Sequence, residues 1–243
     1  MENLSMFKIN TSSRTTEKEI MDDFELSGLE LRQTLKDLEN INCLLGGNNI
    51  TKDGIKRLLT DVPHERTIRI ADLGCGNGAM LRNLANWGQN NGYSFQFVGI
   101  DANVHAIRIA EDLSRNYPQI SFLNLNIFSD TFSNMKFDII LCTLTLHHFK
   151  DEQINNLLRQ FYKQVGIGIV INDLHRSKMA YFLFKAFCSV FVNNEIARKD
   201  GLISILRGFK KEEIHEFSSK TLPACRHHIQ WKWAFRYQWV IQK

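Results

Sequence analysis

The sequence predicts an α/β protein built on a doubly wound, mostly parallel sheet, and three observations predict it. First, short apolar runs rich in Ile, Val and Phe alternate with helical stretches from Thr67 to Asp173, the pattern of right-handed βαβ crossovers. Second, the junction after the first run is Asp72-Leu73-Gly74-Cys75-Gly76-Asn77-Gly78, a glycine-rich turn where a buried strand meets its helix. Third, the chain ends in two strand-like runs, Cys225–Trp231 and Phe235–Ile241. They lie too close together for a crossover helix, so they form a hairpin that places an antiparallel strand in the sheet.

The elements follow in order. Thr16 with Glu19, and Ser27 with Glu30, have the spacing of a capping box, so each is expected to open a helix. Leu29, Leu31, Leu35, Leu38, Ile41, Leu44 and Leu45 give a helical stripe that Gly46-Gly47 end. A shorter helix around Asp53–Leu59 leads to Pro63, and residues 1–66 read as an N-terminal helical cap. The strands are Ile68–Leu73, Phe95–Ile100, Ile120–Leu125, Phe137–Cys142 and Ile167–Ile171. Helices near Ala79–Trp87, Val104–Arg115 and Glu152–Val165 lie between them. A helix Ser177–Asn193, a loop and a last helix Lys210–Ser218 precede the hairpin.

At 243 residues, 44% hydrophobic and 23% charged, the chain is that of a globular protein with a sizeable core; disorder and disulfide scaffolds are excluded. Its charge is polarised. Residues 1–173 carry 17 Lys/Arg against 21 Asp/Glu, whereas residues 174–243 carry 13 against 5. A balance of +8 in the last third points to an anionic partner there. Five widely spaced cysteines without a CxxC pair argue against a zinc site and fit a reducing, cytoplasmic setting. The N-terminus shows no secretory h-region, and the greasiest run, Met179–Val192, is too short to span a bilayer.

Chemistry concentrates at the carboxyl ends of the strands. Gly74-x-Gly76-x-x-Ala79 also satisfies a dinucleotide pattern, so the glycines alone do not name the ligand. Asp72 tilts the choice: a carboxylate just before the loop repels a pyrophosphate but suits a ligand bearing an ammonium group. Asp101 ends the second strand, where an acid can take both hydroxyls of a ribose. The third strand ends at Asn126, whose amide could hold an adenine amino group, with Ile127 against the ring. The fourth runs into Thr143-Leu144-Thr145-Leu146-His147-His148.

With ADLGCGNG, VGID and FDIILCTLTLHHF in this order, the chain resembles the class I S-adenosylmethionine-dependent methyltransferases over roughly residues 66–175, with FRYQWVI resembling their last strand. The resemblance implies a seven-stranded sheet in the order 3-2-1-4-5-7-6, with strand 7 antiparallel. It implies a cofactor site of Asp72, Gly74, Cys75, Gly76, Asn77, Asp101, Ala102, Asn126, Ile127 and Thr143. Residues 67–243 then form the S-adenosylmethionine-binding domain, with a lid insertion at about 176–208. Many members have Asp where Asn126 stands; Asn can serve the same amino group. The gap from Asp72 to Asp101 is 29 residues, longer than the roughly 20 of the dinucleotide pattern, and the hydrophilic loop Gly88–Gly92 accounts for it. At finer grain, the Leu-rich helix ending in LLGG, the DLHRS segment and the basic lid resemble small-molecule methyltransferases of quinone biosynthesis and of the polyketide-associated, secondary-metabolic type.

Methyl transfer from a sulfonium needs alignment, desolvation and sometimes a base. His147 and His148 are the candidate bases, and His175 with Arg176, after the fifth strand, the candidate contacts to an acidic acceptor. His227 and His228 read as structural. The Asn/Asp-Pro-Pro-aromatic motif of nucleic-acid amino methylation is missing after strand 4, and no Pro-Cys pair exists for cytosine C5 chemistry. Nucleic acid is therefore not expected as partner. Thr143 ends strand 4 without an acid, and Asn172-Asp173 alone cannot make an octahedral oxygen site, so no metal is expected. Met179–Val192, apolar nearly all round, is expected to be buried and to roof the acceptor pocket, with weak membrane-surface contact as the competing use. The expected reaction is methyl transfer to an oxygen of a small, lipophilic, anionic aromatic or polyketide-like acceptor. The alternatives are carbon methylation of a quinone precursor, an NAD(P)-dependent oxidoreductase and a non-enzymatic S-adenosylmethionine-binding protein.

Overall fold

In the computed structural model, which describes residues 9–243, the strands are β1 (Thr67–Leu73), β2 (Ser94–Asp101), β3 (Ile120–Asn124), β4 (Phe137–Thr143), β5 (Val165–Leu174), β6 (Arg226–Lys232) and β7 (Arg236–Gln242). They form one sheet in the order β3-β2-β1-β4-β5-β7-β6. All neighbours are parallel except β7, which runs antiparallel to both β5 and β6. This is the expected order, and the terminal hairpin supplies the one reversed strand.

The apolar runs are continuous because both sheet faces are covered. Ala71, Leu73, Ile140, Cys142 and Ile171 pack toward α6 (Asp151–Gln164) and α9 (Lys211–Thr221). The alternate residues Ile68, Ile70, Ile139, Leu141 and Val170 pack toward α2 (Gly47–Leu58) and α3 (Ala79–Asn90). Two layers of helix thus sandwich the sheet and leave its carboxyl edge to loops.

Several expectations change. Thr16 opens no helix: residues 13–19 are irregular, and Glu19 leads only into a single 3-10 turn, Ile20–Asp22. The residues around it are held by partners far along the chain instead. Helix α1 (Gly28–Leu44) does start after Ser27, and Gly46, at φ +74°, turns the chain into α2. Helix α2 is no appendage. A Cβ on Gly54 would lie 2.5 Å from Val170 Cγ1, and that close approach lets α2 lie flat on β5 and β7.

Helix α7 (Lys178–Phe191) is the larger surprise. It buries only Ala180 and Cys188 fully, while Met179 and Val190 are 64% and 72% exposed. It packs through Phe184, Phe187 and Cys188 on the end of α1 and on α8 (Glu195–Arg207), so it lies outside the sheet layers and is not the buried helix expected. Helix α8 stands where a loop was expected. Its buried side carries Asp200 and Arg207, so its core face does not read as apolar. Among the described residues no helix is long and apolar enough to cross a membrane.

Candidate active site

The carboxyl edge of β1, β4 and β5 carries two adjoining groups of side chains. The first is the glycine turn. Gly74, Gly76 and Gly78 have φ of +70°, +52° and +74°, a region costly to residues with a Cβ. A Cβ on Gly74 would also strike Thr145 Oγ1 at 2.6 Å. Thr145 Oγ1 in turn donates to the Leu73 carbonyl at 3.0 Å, tying the turn to the segment after β4. Asp101 accepts from the backbone N–H of Gly76 and of Asn103, both at 2.9 Å.

Burial disfavours the ionised form of two carboxylates here. Burial, reinforced by the negative charge of Asp101, pushes Asp72 up to about 7, and burial likewise raises Asp101 despite its backbone hydrogen bonds. No ion pair reaches either carboxylate among the described residues, whereas fifteen Arg, Lys and His contacts to acids occur elsewhere. Buried acids without a counter-ion are a fitting environment for a ligand that brings positive charge. A sulfonium with an α-ammonium group is such a ligand, so these residues suit S-adenosylmethionine.

The remaining expected cofactor residues divide. Cys75 is buried, and burial raises its thiol well above the ordinary range, which keeps it from acting as a nucleophile. Asn77 is spent on structure: Nδ2 donates to Glu39 of α1 at 3.0 Å and Oδ1 accepts from Ala79 N at 3.1 Å. Ala102 is half-buried, and its carbonyl accepts from Asn124 at 2.8 Å. Strand β3 stops two residues earlier than expected, at Asn124, so Asn126 lies in the following turn, where its Oδ1 accepts from Phe128 N. Ile127 packs beside the α6 layer. Thr143 faces α2, with its Oγ1 3.2 Å from that of Thr51.

The second group surrounds the histidines. After β4, Leu144 takes φ +54°, unusual for a branched side chain, and a 3-10 turn Leu146–His148 follows. The bend aims His147 inward, at 2% exposure, with Nδ1 2.7 Å from Asp173 Oδ1 at the end of β5. The His147 backbone N–H also donates to Asp173 Oδ2 at 3.2 Å. The other ring nitrogen, Nε2, has no hydrogen-bond partner and points at Glu19 Oε1, 3.5 Å away. Burial on its own would lower the His147 pKa. The Asp173 charge, its hydrogen bond to the ring and the nearby Glu19 charge outweigh it and bring the ring up to about 9. His148, half-buried, places Nδ1 2.7 Å from Asp22 Oδ1. Arg207 closes the group, with Nη1 2.7 Å from Asp22 and 3.2 Å from Glu19. Glu19, His147 and His148 bring metal-type ligand atoms within 4.8 Å of one another. The Arg207 guanidinium and the His147 proton already supply positive charge at that place, so the donor set does not favour an ion.

The segment bearing Glu19 and Asp22 is strapped across this edge. The Arg14 guanidinium donates to the carbonyls of His147, Phe149 and Arg207, each at 2.8 Å. Asp200 accepts from the backbone N–H of Ile20 and Met21 at 2.8 and 2.9 Å. Of the residues expected to contact the acceptor, Arg176 cannot do so. It is 1% exposed and fully engaged by Glu213, the Gly208 carbonyl and the Thr11 carbonyl, locking the β5–α7 junction to α9. His175 is half-buried and accepts from Trp231 Nε1 at 3.2 Å; burial and the Arg176 charge lower its pKa. Sequence reasoning missed Glu19, Asp22, Asp173 and Arg207. Only Asp173, at the end of a strand on the right edge, carried a signal.

Residues 70–167 match the model of the methyltransferase domain family. No curated protein matches the sequence. Solved structures do match in fold. One is the plantazolicin methyltransferase BpumL in complex with SAH, at 16% identity and TM-score 0.65, covering 87% of this chain and 90% of that one. Another is magnesium protoporphyrin IX methyltransferase from Synechocystis PCC 6803 with bound SAM, at 12% identity and TM-score 0.58, covering 91% and 94%. A third is the CurJ carbon methyltransferase, at 15% identity and TM-score 0.58, covering 80% and 53%.

Proposed function

We propose that the chain is a class I S-adenosylmethionine-dependent methyltransferase and that it methylates an oxygen of a small, lipophilic, anionic acceptor of aromatic or polyketide-like type. The observation that carries this reading is the buried His147–Asp173 pair, whose Nε2 faces the Glu19 carboxylate 3.5 Å away at the carboxyl edge of the sheet. An oxygen nucleophile of the acceptor takes the position that faces Nε2.

The donor's sulfonium supplies the leaving group when bound. Asp72 would hold its ammonium end, the glycine turn would cradle the adjacent backbone-like portion, and Asp101 would take the ribose hydroxyls through its remaining lone pairs. Asn126 and Ile127 would lie nearest the adenine. These residues orient the donor, and the acceptor side must then hold an oxygen in line with the methyl group. Asp173 fixes the His147 ring and keeps it charged, so His147 binds an acceptor that arrives as an anion. For an acceptor that arrives as a neutral phenol, the same ring must first lose its proton. His148 is the second candidate for that step, being the more exposed of the two.

The test is a panel of phenols and aromatic acids with methyl-labelled S-adenosylmethionine, the product's methylated atom being read by NMR. O-methyl products with His147→Ala and His148→Ala each slowed support the proposal. Carbon-methylated products would replace it with the quinone-type reaction. Normal rates in both variants would leave alignment alone as the mechanism.

A further inference from the structure

Glu19 and Asp22 occupy a place that has the composition of a ligand site. Arg207 and His147 are cationic groups 11% and 2% exposed at the side chain, and His148 completes the wall. Asp173 pairs with His147 from β5, and the further carboxylates facing Arg207, His147 and His148 come from a segment on neither sheet layer, running in irregular conformation from residue 9 to residue 26 apart from one 3-10 turn. That segment is fastened mainly by polar contacts. They include the Arg14 fan with its ion pair to Asp151, the Asp200 carboxylate on Ile20 and Met21, a backbone bond from Thr15 to the Leu206 carbonyl, Arg176 on the Thr11 and Ser12 carbonyls and Asn103 on the Leu26 carbonyl. Its apolar contribution is small, with Met21 and Leu26 only partly buried against the α1–α4 cluster. Helix α4 spans Val104–Leu113.

The fit between the strap and the site is imperfect where it matters. Glu19 stops 3.5 Å from His147 Nε2, which stays buried without a hydrogen bond. The contact to Glu19 is an ion pair longer than the roughly 2.7–2.9 Å of a charge-assisted hydrogen bond. A carboxylate free to settle on Nε2 could make that bond, and Glu19 as placed does not.

We propose that Arg207, His147 and His148 form a receptor for the carboxylate of the acceptor, and that Glu19 and Asp22 are its internal occupants, displaced when the acceptor enters. This deepens the proposed function and rests on it for the identity of the bound molecule as the acceptor. The ligand class is a small aromatic or polyenic carboxylate: one anionic group for the receptor and an apolar body for the space the strap vacates. Because the strap competes for the same cations, the apparent affinity is reduced by the fraction of molecules with the strap in place.

The test uses the full-length protein with saturating S-adenosylhomocysteine, and 2-naphthoate as probe with 2-naphthol as its uncharged counterpart. Binding is read by calorimetry, and the strap by hydrogen exchange over residues 9–26. In Glu19→Gln/Asp22→Asn, exchange in the strap should rise and naphthoate should bind about tenfold tighter, while naphthol gains less. In the unmutated protein naphthoate should itself raise strap exchange, and about 0.5 M salt should weaken its binding. The proposal is overturned if naphthoate binds the double variant no better than the parent, if strap exchange ignores naphthoate, or if naphthol is preferred. Methyl transfer is scored separately. A double variant that binds naphthoate but methylates no oxygen in the panel removes the oxygen-acceptor reading and leaves the receptor standing. Methylation of neutral phenols alone, without naphthoate binding, does the reverse.

Discussion

Donor affinity should depend on pH through Asp72, in a direction the structure fixes. The perturbation is a fall in pH from about 7.5 to about 5.5, a range in which the donor's own α-ammonium stays protonated. Asp72 rises from an ordinary 3.8 to about 7 because burial and the Asp101 charge both oppose its ionised form. That gap is worth roughly 4 kcal/mol against the carboxylate. A donor whose ammonium sits beside Asp72 binds the ionised form, so it must draw a proton off the rest. At pH 7 about half of Asp72 is ionised and at pH 6 about a tenth, so affinity should drop about fivefold over that step and approach tenfold per pH unit below it. Calorimetry with S-adenosylhomocysteine in buffers of different ionisation enthalpy reads both numbers: the binding constant and a release of about half a proton at pH 7. Asp72→Asn should bind more weakly and show neither effect. An affinity that stays level across the range, or a net uptake of protons, would refute the placement of the ammonium group.

Further outcomes follow from the same contacts. Asp72→Asn should stabilise the ligand-free protein near neutral pH by a few kcal/mol, because the ionised carboxylate is what burial penalises; differential scanning calorimetry should show a higher Tm. The folded His147 pKa of about 9 lies above its ordinary 6.5. The pair's contribution is therefore complete below about pH 6.5 and is lost as pH rises through about 9. Tm should fall across that window and stay flatter in His147→Gln. Asp173→Asn leaves a buried imidazole without its counter-charge and should cost about 3–5 kcal/mol, read by urea denaturation at pH 7. Asp101→Ala should abolish donor binding, and unchanged calorimetric affinity would count against the ribose assignment.

How much of this was legible in the sequence depends on the distance over which each signal acts. The sheet was legible because strands covered on both faces must be apolar throughout, and the glycine turn because no side chain fits at Gly74 against Thr145. Boundaries slipped where a polar side chain decided them, as at Asn124, which hydrogen-bonds the carbonyls of Asp101 and Ala102 and so ends β3. Helix α8 was hidden because its inner face mixes Asp200 and Arg207 with Ile196, Ala197, Ile203 and Ile205, which blurs the hydrophobic stripe. Glu19 was hidden for a different reason: it lies 128 residues before His147 in sequence, and only the folded chain brings the two together. The charge polarity of the last third does not say which arginine is already engaged. Arg176 is locked to Glu213, whereas Arg207 faces the carboxyl edge.

Helix α1 has a bearing on the tempo of the reaction. Leu35 lies over Gly76, with its Cδ2 3.2 Å from where a Cβ would be, and Glu39 holds Asn77 while lying 3.9 Å from Arg82. The same helix is tied at its far side to α8 through Thr34 and Asn194. On the proposed placement the donor's methionine end is covered by helix α1, and the acceptor's side by the strap. If the donor must pass α1 and the acceptor only the strap, a compulsory order is expected: the donor enters first, the acceptor exchanges on the loaded enzyme, and spent S-adenosylhomocysteine leaves last. Turnover would then be paced by the lifting of α1, and the first methyl transfer of a rapid-mixing experiment would outrun every later one.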